Sequence, residues 1–195
     1  MKKIILFSLL LTSLYSDAKI YMGVGGGVYT ETLDDELSTN ITANMARVKI
    51  GYGIREAYAV EFSVDYVANK NELFKPYNDN DGARYGFNVE LIKAFDFGIY
   101  INPFIRAGFG MGYMETEASY EDDSLSYGTY NLGFGTFIPI GENLDIELGY
   151  DYKYTSYQRI RELDESTIVP NDTIQQDHID KSMSHTAYLG VNIRF

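Results

Sequence analysis

The sequence predicts an all-β fold, an eight-stranded antiparallel transmembrane β-barrel, and three observations carry that prediction. Apolar residues recur at every second position in eight separate stretches, the connections between them alternate short and long, and tyrosine and glycine are each present 18 times against 4 prolines. Period-two alternation is the mark of strands with two unlike faces. Tyrosine with scattered glycine is an all-β composition.

The eight stretches run approximately over 19–31, 42–54, 57–69, 83–96, 99–114, 125–139, 143–158 and 183–195. Each has at least the ~9–11 residues that a tilted strand needs to cross a bilayer. Strands 2 and 3 join around Arg55, strands 4 and 5 around Asp96 to Gly98, and strands 6 and 7 around Gly141 and Glu142. The other connections are longer and polar: TETLDDELSTN, KNELFKPYNDND, METEASYEDDS and the segment from Arg159 to Lys181. Short turns on one side and long loops on the other are the pattern of a barrel whose termini and turns face the periplasm.

One phase of each strand is apolar, as in Tyr58, Val60, Phe62, Val64 and Tyr66, or Leu144, Ile146, Leu148, Tyr150, Tyr152 and Tyr154. The other phase is polar, charged or glycine. Alternation alone also fits a soluble barrel with its apolar phase inside. Aromatic residues at both ends of the apolar phase decide against it. Tyr52, Tyr58, Phe95 and Phe195 lie at one end and Tyr66, Tyr85, Tyr113 and Tyr154 at the other, as girdles at two lipid–water interfaces. Glycines such as Gly108, Gly110 and Gly112 fall in the polar phase, where a narrow barrel has least room. The apolar face therefore meets lipid, and closure satisfies the backbone without water.

The opening residues read as an export leader over 1–18, with the mature barrel domain over 19–195. Lys2 and Lys3 form a basic start, IILFSLLLTSLY is shorter than a ~20-residue membrane helix, and Ser16 and Ala18 are the small residues expected before a cleavage site. The net charge is −12, which opposes nucleic acid as a partner. No cysteine is present, so a disulfide framework, thiol catalysis and cysteine-ligated metal are excluded.

Parity assigns twelve charges to the interior: Arg47, Lys49, Arg84, Arg106, Lys153 and Arg194 against Glu61, Asp65, Glu90, Asp145, Glu147 and Asp151. An eight-stranded interior is just wide enough to be filled by side chains, and charges there are expected to pair. That predicts a plug of ion pairs, with a narrow, weakly conducting pore as the alternative. The net negative charge then belongs to loops and ends, including Asp34, Asp35 and Glu36 and again Glu121, Asp122 and Asp123. Such runs solvate a surface or hold divalent cations against anionic lipopolysaccharide. NDNDG at 78–82 resembles part of a calcium loop but has Tyr77 where an acidic first ligand is needed, so no metal site is assigned.

No catalytic residue is assigned either. His185 lies on the lipid-facing phase, and a triad with Ser156 or Ser126 is the geometry a lipid A-modifying enzyme would need. His178 sits among Asp177 and Asp180 in the last loop, and Gly23 to Gly27 lacks the Lys-Ser/Thr and helix of a phosphate loop. No cofactor is expected.

The ending TAYLGVNIRF, with Tyr188, Val191, Ile193 and Phe195, resembles the C-terminal assembly signal of bacterial outer-membrane barrels. INPFIRAGFGMGY resembles the proline-then-glycine strand of the small OmpA/OmpX-like "porin family" barrels. The resemblance implies the outer membrane of a Gram-negative cell, handling by periplasmic chaperones and the barrel-assembly machinery, and contact with outer-membrane lipid and lipopolysaccharide. It also implies a non-enzymatic envelope role, an adhesin being a further alternative. The 159–181 connection is the best candidate for contact with an extracellular ligand, whose identity the sequence does not give.

Overall fold

The computed structural model describes residues 18–33, 40–70, 81–115, 124–158 and 181–195. The leader, both acidic runs, most of NDNDG and His178 lie outside the described residues. Eight strands follow in order: β1 (Lys19–Leu33), β2 (Asn40–Gly53), β3 (Tyr58–Lys70), β4 (Asp81–Ala94), β5 (Asn102–Glu115), β6 (Ser124–Pro139), β7 (Leu144–Tyr157) and β8 (Lys181–Arg194). Each pairs antiparallel with its neighbours in sequence, and β1 pairs with β8 from Tyr21↔Arg194 to Leu33↔Ser182. Phe195 donates its N–H to Ile20 O at 2.9 Å beside this seam. With the sheet closed, each of the eight strands has a hydrogen-bonded neighbour on both sides among the described residues.

The fold class is as predicted, and the largest boundary difference concerns residues 99–101. Ile99, Tyr100 and Ile101 continue a strand-like pattern, yet they belong to the β4–β5 turn. Gly98 adopts φ +67°, a left-handed conformation costly for a residue with a Cβ, and its N–H is held by Asp96 Oδ1 at 2.7 Å. That local bond reverses the chain before the alternation can be used. Gly141, at φ +90°, does the same in the β6–β7 turn.

The apolar phase faces out. Phe62, Phe109 and Leu132 remain more than half exposed, while Glu61, Asp145 and Glu147 are fully buried. Tyr66, Tyr85 and Tyr113 stand in one register row, with ring centroids 5.4 and 5.0 Å apart, and make one arc of the outer girdle. The interior is not uniformly polar. Tyr21, Ile92, Phe104 and Phe137 form an apolar layer towards the short-turn end, with Phe104 and Phe137 at 4.5 Å.

Four inward aromatic rings lie opposite glycine on the adjacent strand: Tyr21↔Gly51, Gly112↔Tyr127, Phe104↔Gly135 and Gly149↔Tyr188. A Cβ on any of these glycines would fall within 2.6 Å of the ring. The glycines are thus the floor on which interior aromatics lie flat, and this pairing lets large rings fit a narrow barrel.

Candidate functional site in the barrel interior

Because inward residues alternate along every strand, the eight strands project charges from all sides onto one axis. At the short-turn end, Arg194 Nε meets Asp145 Oδ2 at 2.6 Å. Arg55, in the β2–β3 turn, reaches across the mouth to the opposite wall. Its Nε lies 2.8 Å from Asp145 Oδ1, and its guanidinium donates to Glu142 O at 2.8 Å and Gly141 O at 3.3 Å.

Farther in, Arg106 gathers four carboxylates, the most distant being Asp151, 3.7 Å from its Nε. Its guanidinium lies 3.3 Å from Glu61 and 3.2 Å from Glu90, and it also bonds Glu147 and Tyr188 Oη. Lys49 bridges Glu61, at 3.2 Å, and Glu147. Tyr21 Oη donates to Glu61 and Tyr188 Oη to Glu147, each at 2.8 Å.

Above this layer Arg47 holds Asp65 in a bidentate pair, at 2.6 and 3.0 Å, and Asp151 at 2.8 Å. Lys153 joins Asp65 from the opposite wall at 2.6 Å. Asn131 donates to Asn88, which donates to Ser63 and Asp65. At the long-loop end Arg84 donates to Tyr29 Oη at 2.7 Å, Tyr157 Oη at 2.9 Å and Glu31 Oε2 at 2.8 Å, and it lies 4.1 Å from the Tyr127 ring centroid. Tyr157 and Ser182 also donate to Glu31.

All twelve charges that parity places inside are buried, and each ion pair named here joins opposite signs. Two charged participants escaped the sequence reading. Glu31 is buried at the last inward position of the predicted 19–31 stretch, on the phase of Tyr21 and Tyr29, so the parity that places the other charges inside would have found it there too. Arg55 sits in a turn, and no periodicity reports where a turn side chain reaches. One joins the anions and one the cations, so the interior stays balanced. Arg55→Ala is expected to lower stability by about 1–3 kcal/mol, the worth of hydrogen bonds to a charged group, read as the shift of the urea unfolding midpoint in lipid vesicles.

Among the described residues a small interior space of about 20 Å³ lies between Arg84 and the Asp65–Lys153 pair. That is close to the roughly 10–15 Å³ required for a single water.

The outer face places His185 beside tyrosines. Its Nδ1 is 2.6 Å from Tyr150 Oη, and its ring meets Tyr152 at 5.2 Å. His185 is level with Tyr152 whereas Ser156 is level with Lys181, about 13 Å farther along the strands. Ser126 is level with Tyr113 and is likewise remote from His185. In the C-terminal strand Val191, Ile193 and Phe195 point outward together with Leu189, but Tyr188 points inward to Arg106 and Glu147. Tyr188 therefore does not share the face of the other three signal residues.

Solved structures share this architecture. Neisserial surface protein A (NspA) aligns with a TM-score of 0.68 at 15% identity, over 92% of this chain and 100% of its own. Ail, the attachment invasion locus protein of Yersinia pestis, solved in complex with the heparin analogue sucrose octasulfate, aligns with a TM-score of 0.55 at 16% identity, over 92% of this chain and 99% of its own. At such identities the likeness is one of fold. No curated protein sequence matches the chain. Residues 4–195 match the outer membrane protein beta-barrel domain, and with that match and the closed eight-stranded sheet, the chain belongs to this family of outer-membrane barrels.

Proposed function

We propose that this protein is a non-enzymatic, non-conducting barrel that contributes to the structure of the outer membrane and works through its surface. In this reading a leader ending at Ala18 exports it, the barrel-assembly machinery inserts it, and its acidic loops face outward. The observation that carries the proposal is the series of ion pairs from Arg55, Asp145 and Arg194 at one mouth to Glu31 and Arg84 at the other, with space for about one water between. Buried pairs are weak evidence for stability. As occupants of the lumen they are a strong obstacle to ions.

Planar-bilayer recording tests the proposal. The wild-type protein is expected to give no stepwise conductance, and regular unitary steps that vanish on heat denaturation would overturn it. A second reading, surface contact with a cation or a basic partner, is favoured by charge. The interior is balanced, so the net negative charge of the chain falls on connections and ends, and such a surface repels polyanions. The sulfated ligand class of Ail is therefore disfavoured here. Divalent cations shared with lipopolysaccharide phosphates fit the acidic loops better.

A further inference from the structure

From the Tyr66–Tyr85–Tyr113 row to the short-turn end, the outward phase of β3, β4 and β5 carries a single charged side chain, Lys93. It lies beside Ala94, where β4 ends. Its ammonium is 4.1 Å from the Tyr58 ring centroid and 5.6 Å from that of Phe95, two girdle aromatics, and no carboxylate among the described residues pairs with it. A lysine facing lipid sends its ammonium to the interface and leaves its stem along the apolar surface. At that level the available anions are lipid phosphates.

Lys93 also stands at the end of an outward-facing apolar groove of about 550 Å³ across β4, β5, β6 and β7. The groove exists because Ala107, flanked in register by Leu91 and Leu132, offers only a methyl group where its neighbours carry large side chains. Phe134, Tyr150 and Tyr152 close its far side. Tyr150 and Tyr152 sit midway along β7 (Leu144–Tyr157), so the groove climbs from the interface towards the bilayer centre. Its volume lies in the range of small-molecule sites. A larger outward depression, about 690 Å³, is lined on its outward phase by residues such as Met22, Val24, Ile50 and Phe62 and has no outward cation. It suits hydrocarbon alone.

We propose that Lys93 and this groove hold one glycerophospholipid of the periplasmic leaflet, its phosphate on the Lys93 ammonium and one acyl chain along Ala107 towards Tyr150. The assignment rests on the membrane orientation described above, with short turns in the periplasm, and is independent of whether the barrel conducts. The cation supplies the headgroup contact, and the hollow accounts for retention of one chain over the rest of the lipid annulus.

Native mass spectrometry of the full-length protein extracted from membranes in mild detergent, with added phosphatidylglycerol or phosphatidylethanolamine, tests it. The wild type is expected to retain one phospholipid. Lys93→Gln should lower that adduct about fivefold, Lys93→Arg should keep it, and Ala107→Phe should abolish it with the charge intact. Lys19→Gln, at the barrel mouth, should leave it unchanged. Heat-modifiable migration reports folding of each variant separately, and Ala107→Phe and Lys93→Arg decide the matter if Lys93→Gln misfolds. An adduct in Lys93→Gln or Ala107→Phe equal to that of the wild type, or an equal loss in Lys19→Gln, overturns the proposal.

Discussion

Arg106→Met is expected to lower the unfolding free energy by about 3–5 kcal/mol, because it leaves buried carboxylates without their shared cation. Arg106 is the contact common to Glu61, Glu90 and Glu147, and each of the three is essentially inaccessible to solvent. After the substitution Lys49 still meets Glu61 and Glu147, but one ammonium replaces two cations. Glu90, which has no other cation among the ion pairs described here, is the most exposed to this loss. The cost comes from uncompensated charge and not from any large net worth of the pairs. The double variant Arg106→Met/Glu90→Gln should therefore be more stable than Arg106→Met alone, a recovery that loss of packing would not produce. Urea unfolding in lipid vesicles measures both. A change below about 0.5 kcal/mol, the size seen at ordinary surface positions, would show that water entering the lumen has taken over the role of Arg106.

The contrast between what could and could not be read in the sequence has a geometrical origin. A strand facing lipid on one side and a packed lumen on the other must alternate, so Leu144, Ile146 and Leu148 fix the direction of Asp145 and Glu147. Direction follows from parity alone. Partnership does not, because Lys153 meets Asp65 from the opposite wall, and which residues share a level across the lumen depends on strand tilt and shear. Arg55 shows the limit most plainly, since its target is another turn on the far side of the mouth. Residues 99–101 show the converse error. There a pattern with strand period is overruled by an Asp96–Gly98 turn worth only a few local bonds. The inward aromatics Phe104 and Phe137 were hidden because an apolar residue on the lumen phase breaks the binary code. Only their packing on each other, and of Phe104 opposite Gly135, explains them.

Gly149→Val should prevent assembly of the barrel almost completely. A Cβ at this position would lie 2.1 Å from Tyr188 Oη and 2.2 Å from Tyr188 Cζ. The ring has no easy escape. It is buried, its hydroxyl donates to Glu147 at 2.8 Å and accepts from Arg106, and the Arg47 guanidinium stands 5.0 Å from its centroid. Moving the ring disrupts the central charge layer as well as a cross-strand contact. Leaving it in place forces the β7 and β8 backbones apart at the pair Gly149↔Tyr188. Tyr188→Ala alone should cost about 3–5 kcal/mol, as for other large-to-small changes of buried aromatics, yet the double variant Gly149→Val/Tyr188→Ala should assemble better than Gly149→Val. Gly128→Val serves as the control, because its Cβ would face outward with only Gly110 O nearby, at 4.0 Å, and valine suits an exposed strand position. The fraction of protein in the outer membrane with heat-modifiable migration reads all four variants. If Gly149→Val assembles as efficiently as Gly128→Val, the flat stacking of Tyr188 on glycine is not a constraint on the fold, and the cross-strand aromatic–glycine pairs lose their role as the device that fits large rings into a narrow lumen.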